Sequence, residues 1–253
     1  MIHDIEYYRK IQDAHGAQTQ KQAQINSLRK KLSRHFKQTI NWEQVEINGV
    51  SQELLVMKST SVTVKKIEAR PGEVLRLGAL IKWHGVYWLV TQLDADDQIQ
   101  DAGMMTQCNM ILRWQLPDLS VAVTYAVTED ATKYGTGVSD NELMRIGEFA
   151  LKAKVPMNTQ TLKIRRDQRF LIGEHGEGII PNAYIASRLN QVTATYVDVE
   201  ADQEQNSGYI EVTLLEDQFR PHSDRADLML ADYVEESHEE PEQETQTKDG
   251  VFW

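Results

Sequence analysis

The residue types that could do chemistry are present, but not at the spacings that chemistry needs. Histidine occurs at His3, His15, His35, His84, His175, His222 and His238, and none stands four residues from another. No helical pair can therefore clamp a metal. The one cysteine, Cys108, lies in the apolar stretch Cys108–Trp114, where a thiol behaves as a small hydrophobe. Asp94-Ala95-Asp96-Asp97 opens like a calcium loop. Its sixth position, however, is Ile99 where glycine is needed, and its twelfth is Met105 where a bidentate acid is needed. A charged turn is the plainer reading. The run Gly173-Glu174-His175-Gly176-Glu177-Gly178 is followed by no Lys-Ser/Thr pair, and its two glutamates would repel a phosphate; it reads as a long surface turn. The acid pairs Glu235/Glu236 and Glu239/Glu240 sit in a polar tail that cannot hold catalytic geometry. These patterns predict a protein that is not an enzyme and that uses no cofactor and no metal.

What remains is charge and shape. Residues 1–40 carry eight Lys/Arg against three acids, a net +5, and residues 234–253 carry seven acids against Lys248, a net −6. The whole chain is −11, which leaves −10 between the two ends. An acidic body argues against the whole molecule being a nucleic-acid binder. Opposite charge at the two ends suits a chain whose ends meet different partners. The candidate contact residues for assembly or DNA are Arg29, Lys30, Lys31, Arg34 and Lys37 at the basic end and Phe252 and Trp253 at the acidic end.

The elements that must position these residues follow from periodicity. Ile25, Leu28, Leu32 and Phe36 recur at three- and four-residue steps, so residues 20–37 read as a helix with a basic opposite face. Ile2, Ile5, Tyr8 and Ile11 suggest an earlier helix, with Gly16 as the break. From Trp42 the period becomes two. Asn48-Gly49 and His84-Gly85 mark tight hairpins. Short strands are expected over Val62–Ile67, Val74–Gly78, Ile81–Trp83, Val86–Val90 and Cys108–Trp114, with a polar loop over Asp94–Gly103. Trp83, Trp88 and Trp114 are the expected barrel core. Further strands are expected at Ser120–Thr128, Leu162, Ile164, Phe170–Ile172, Ala183–Ala186, Val192–Val199 and 208–215, with a loop over Asp130–Asp140. Met229–Tyr233 reads as a short helix or a docked segment. After Val234 the chain has too little apolar content to bury a core and reads as disordered.

The expected fold is mainly β: a helical arm over 1–40, a small β-barrel over 41–118, a second strand-rich, sandwich-like region over 119–233, and an acidic flexible tail over 234–253. At 253 residues with 41% hydrophobic content the chain can bury its core without staples. A single cysteine excludes an internal disulfide framework. No window reaches the ~18 apolar residues of a membrane span, and the first ten residues show no signal-peptide pattern.

Two blocks of residues carry a family resemblance. The first is Ala69-Arg70-Pro71-Gly72-Glu73, Leu77-Gly78, Lys82–Thr91, Asp94, Met105, Cys108-Asn109 and Leu112-Arg113-Trp114-Gln115. The second is Asp167–Ile172, Asn182-Ala183-Tyr184, Ser187-Arg188, Leu215–Phe219, Asp224, Met229 and Ala231-Asp232-Tyr233. Together they resemble virion structural proteins of tailed bacteriophages, in particular neck components: head-closure (stopper) or head-to-tail connector subunits built on a small β-barrel. The resemblance implies a portal-associated ring, a cyclic homo-oligomer. Such a ring would retain packaged DNA without sequence specificity and meet portal or adaptor proteins above and tail proteins below. It implies assembly in the host cytoplasm, residence in the neck of the virion and no membrane. Within the particle the alternatives are a tail terminator, a decoration protein or a minor capsid protein. The alternative of another class is a DNA-binding regulator that uses the basic helix 20–37.

Overall fold

The computed structural model describes residues 7, 19–94, 98–131, 133–139, 142–148, 150–174, 176, 178–198 and 203–235. All of the expected earlier helix but Tyr7, nearly all of the acidic tail, and Phe252 and Trp253 lie outside these residues. The first described helix, α1 (Gln20–His35), begins at an N-cap where the Thr19 hydroxyl accepts a hydrogen bond from the Gln22 N–H at 3.2 Å. A 3-10 turn over Phe36–Gln38 follows and buries Phe36.

Six strands then close into a barrel in the order β1-β2-β3-β6-β5-β4. They are β1 (Trp42–Ile47), β2 (Val50–Lys58), β3 (Val64–Ala69), β4 (Leu80–Trp83), β5 (Val86–Asp94) and β6 (Ala102–Gln107). Both expected hairpins are present. Asn48 and Gly49 have φ of 48° and 86°, and His84 and Gly85 have 49° and 77°, the left-handed pair that a two-residue turn between twisted strands demands. Alternation fills the interior with Val45, Ile47, Leu54, Ile67, Ile81, Trp88, Val90 and Met105. Val74–Gly78, expected as a strand, is not one. The barrel circuit is complete without it, and the segment instead plugs the barrel with Leu75, whose N–H donates to Asp101 Oδ2 at 2.9 Å.

The second unit is a six-stranded sheet, β12-β13-β14-β11-β8-β7, curled until it nearly closes. Its strands are β7 (Met110–Gln115), β8 (Val121–Asp130), β11 (Ala150–Pro156), β12 (Arg169–Ile172), β13 (Asn182–Asp198) and β14 (Gln203–Asp217). Trp114, expected in the barrel, lies in this core instead. Strand β7 pairs along its length with β8, so the division between the units falls near Cys108-Asn109 rather than at 118. Trp114 meets Phe170 edge to face at 6.1 Å across the gap between the sheet's two edge strands. Leu162 and Ile164, expected in strands, belong to a 3-10 turn (Thr161–Lys163) and its cap. The Thr161 hydroxyl donates to Pro156 O at 2.6 Å and holds that turn closed.

Asp130–Asp140, expected as a loop, contains β9 (Lys133–Ser139), which pairs only with β10 (Glu142–Glu148) as a free-standing hairpin. Beyond Tyr209 the strands β13 and β14 likewise pair only with each other, out to Asp198↔Gln203. The β9–β10 hairpin leaves the sheet beside Asp130 and Ala150. The β13–β14 arm leaves beside Pro156 and Tyr209, at the opposite end of the same strands.

Candidate assembly surfaces

The seam between the units is built from faces that alternation turns outward. On β5, Trp88 and Val90 point into the barrel while Leu89 points out, yet Leu89 is fully buried because it packs on Val127 and Tyr209 of the second unit. Beside it, Tyr87 and Tyr125 stack with ring centroids 3.7 Å apart. Burial, reinforced by Tyr87, raises the pKa of Tyr125, so this phenol keeps its proton. At Gly78 and Gly208 the two backbones nearly touch. A Cβ on Gly78 would lie 1.6 Å from the Gly208 carbonyl oxygen, so only glycine fits. Cys108 is half-buried near the seam, and the loss of solvent around it pushes its pKa up to about 12, which makes it an inert thiol at neutral pH.

A second construction pins the chain that follows β14. Arg169 opens β12 and is only 2% exposed. Its guanidinium donates five hydrogen bonds: to Asp217 (2.6 Å), to both oxygens of Asp224 (2.7 and 3.0 Å), to Asp232 (2.8 Å) and to the Gln218 carbonyl (2.7 Å). That uses every donor the group has. Asp224 also accepts from the backbone N–H of Arg220 and of Asp232. Burial alone would raise the pKa of Asp217 and Asp224, but the hydrogen bonds from Arg169 and the backbone outweigh it and hold both carboxyls below the usual range. The same carboxylates hold the Arg169 proton more tightly than usual despite burial. Arg169, Asp217, Asp224 and Asp232 all belong to the second resemblance block; the structure brings them into one cage, which no local spacing in the sequence announces. The docked segment buries Met229, Leu230 and Ala231 by turns and not by a helix.

Helix α1 carries the basic candidates except Lys37, which lies in the 3-10 turn after it, and α1 buries none of its own residues; Leu28 and Leu32 are 46% and 41% exposed. Arg29 donates to Gln98 O at 2.9 and 2.6 Å, and Lys37 pairs with Glu53 at 2.5 Å, so these two tie the arm to the barrel. Lys30, Lys31 and Arg34 are exposed and make no hydrogen bond or ion pair with any described residue. The structure therefore divides the five predicted residues into two anchors and three open cations.

Sequence reasoning missed the outer face of β7 and β8. There Ile111, Val121 and Val123 are 42–47% exposed, although alternation within each strand did mark them as one face. A groove of about 410 Å³ runs along this face toward Leu228, Tyr233 and Val234. Its far end is the last part of the chain described, clasped by the Gln115 amide, which accepts from Val234 N at 2.9 Å and donates to Val234 O at 3.0 Å. Among the described residues no three His, Cys, Asp or Glu side chains gather as a metal site, and no helix is long and apolar enough to cross a membrane.

No protein-family model and no curated protein matches the chain. Among solved structures, MrkH, described as a novel c-di-GMP dependence transcription regulatory factor, is similar over 79% of this chain and 84% of its own, at a TM-score of 0.23 and 9% identity. A likeness at that level carries no argument about function.

Proposed function

We propose that this chain is a ring-forming structural subunit of a tailed-phage neck, retaining DNA and joining head to tail. The observation that carries this reading is the shape of the second unit. A rigid β body is locked to a closed barrel, and two free-standing hairpins leave it at opposite ends of β11. A subunit set between a component above and another below needs contacts on opposite faces, and such arms supply them. The arms are acidic in sequence. Residues 194–206 carry Asp198, Glu200, Asp202 and Glu204 with no Lys or Arg, and residues 129–148 carry five acids against Lys133 and Arg145. An acidic arm facing a channel would let DNA slide past without sticking, because both surfaces are negative. The resemblance supports the same reading: its first block runs through the barrel and the seam, and its second builds the Arg169 cage.

The test is copy number, by quantitative mass spectrometry of purified particles normalised to the major shell protein. A ring's worth, on the order of ten per particle, is expected for closed cyclic symmetry. Hundreds would mean a decoration or tail-tube role, and absence from particles would overturn the proposal.

A further inference from the structure

We infer that the β7–β8 groove is the receptor for the segment Asp249–Trp253 of a neighbouring copy; the inter-copy part of this inference rests on the ring reading above. The first observation is continuity. The outer face of β8 is one surface, of which the barrel covers the Tyr125 and Val127 half and leaves Val121 and Val123 bare. An apolar face half-covered by an intramolecular interface is a surface prepared for a second partner.

The second observation is charge. Arg113 is the groove's only charged lining residue, and its half-buried guanidinium makes no hydrogen bond or ion pair with any described residue. The carboxylates of the chain's own last described stretch are taken elsewhere: Asp224 and Asp232 pair with Arg169, at 2.7 and 2.8 Å, and Asp227 and Glu235 with Arg225, at 2.9 and 3.6 Å. An apolar trough with one unanswered cation fits an apolar segment that carries one nearby acid.

The chain contains such a segment. Residues 235–250 hold no large apolar side chain, whereas Val251, Phe252 and Trp253 stand together directly after Asp249-Gly250. The aromatic pair supplies rigid apolar area of the kind that anchors interfaces, and Asp249 supplies the carboxylate for Arg113. Among the described residues, the exposed apolar stripe of Leu28 and Leu32 on α1 is a poorer occupant. It is flanked by Lys31 and by Arg29, and cations would be set against Arg113. The 13 residues between Glu235 and Asp249 can span up to roughly 40 Å when extended, ample to reach an adjacent subunit.

The experiment uses the full chain. A Trp253→p-benzoylphenylalanine copy, unlabelled, is mixed at high concentration with ¹⁵N-labelled wild-type copies, irradiated, digested and read by mass spectrometry. The expected result is a cross-link from unlabelled position 253 to ¹⁵N peptides spanning 111–123. Arg113→Glu in the labelled acceptor should lower its yield at least tenfold while the far-ultraviolet circular dichroism stays unchanged. Cross-links only within one copy, to another surface, or none at all would overturn the inference, as would indifference to Arg113→Glu. Copy number in particles is measured separately: the ring reading can fail there while the cross-link stands, and the cross-link can fail while the copy number is that of a ring.

Discussion

The barrel and the second sheet each have six strands, yet they close by different means. The barrel closes through its backbone: β1 pairs with β2 on one side and with β4 on the other, through Glu46↔Lys82 and Ile47↔Ile81. The second sheet ends at β12 and β7 without a ladder between them. Side chains do the closing, through the Trp114–Phe170 contact inside and through the last docked segment, which the Arg169 cage ties to β12 and the end of β14 and the Gln115 amide ties to β7. Backbone closure spreads its stability over many hydrogen bonds. Closure by side chains concentrates it in a few residues, so the second unit should be far more sensitive to single substitutions at its edge.

The sharpest way to break that comparison is Arg169→Ala. Removing the cation leaves Asp224 buried beside Asp217 and Asp232, and a buried charge stripped of its partner costs about 4–5 kcal/mol. Urea unfolding measures it, and a loss under about 1 kcal/mol would mean that the cage does not close the sheet. The dependence on acid sharpens the same point. Asp217 and Asp224 have folded pKa values below the unfolded value of about 3.9. The unfolded chain therefore binds protons first as pH falls, so their stabilisation is complete above that value and is lost below it. The gap in unfolding free energy between wild type and Arg169→Ala should be widest near pH 6 and shrink on titration below about pH 4. A gap independent of pH would assign the loss to packing alone.

The barrel's counterpart is Trp88→Ala, expected to cost about 3–4 kcal/mol by opening a cavity inside a closed wall. The figure is set below the cage's because the indole N–H of Trp88 has no partner in the barrel, and truncation removes that standing penalty. Near-wild-type stability in Trp88→Ala would show that the barrel core repacks and that the contrast in sensitivity lies in the residues rather than in the mode of closure.

The same contrast explains what the sequence could reveal. The barrel's hairpins were legible at Asn48-Gly49 and His84-Gly85 because turn and paired strands are neighbours in the chain. The mainly β class, the first described helix and the two strand-rich regions were legible for the same reason. The cage was not: Arg169 reaches partners 48, 55 and 63 residues away, and no local pattern encodes such a meeting. Strand β11 escaped notice because its inward face, Leu151, Ala153 and Val155, is only three residues long and has a small side chain at its centre. The loop expected over Asp130–Asp140 failed for a related reason. Its Gly, Thr and Ser residues read as turn formers, yet the backbone runs extended because β10 pairs with it residue for residue.

The seam allows a finer cut. Gly78→Ala sets a methyl group against the Gly208 backbone of β14, at a turn residue with φ of 74°. A cost of about 2–3 kcal/mol is expected. If the two units are closed independently, calorimetry should then show one unfolding transition split into two. A single transition shifted as a whole would mean that the units share one core.

The smallest effect is the most specific. The Tyr87–Tyr125 stack joins the outer face of the closed barrel to the outer face of the nearly closed sheet, so it reports on the seam without touching either core. Tyr125→Leu keeps apolar bulk at the site and should cost only about 1 kcal/mol. Because each single substitution also alters solvation, the informative quantity is the coupling in a double-mutant cycle with Tyr87→Leu, expected at about 0.5–1.5 kcal/mol. Additive losses would mean that the rings merely lie side by side. The docking of barrel on sheet would then rest on Leu89, Val127, Tyr209 and the glycine contact, and the phenols would be free to serve the bare half of the β8 face.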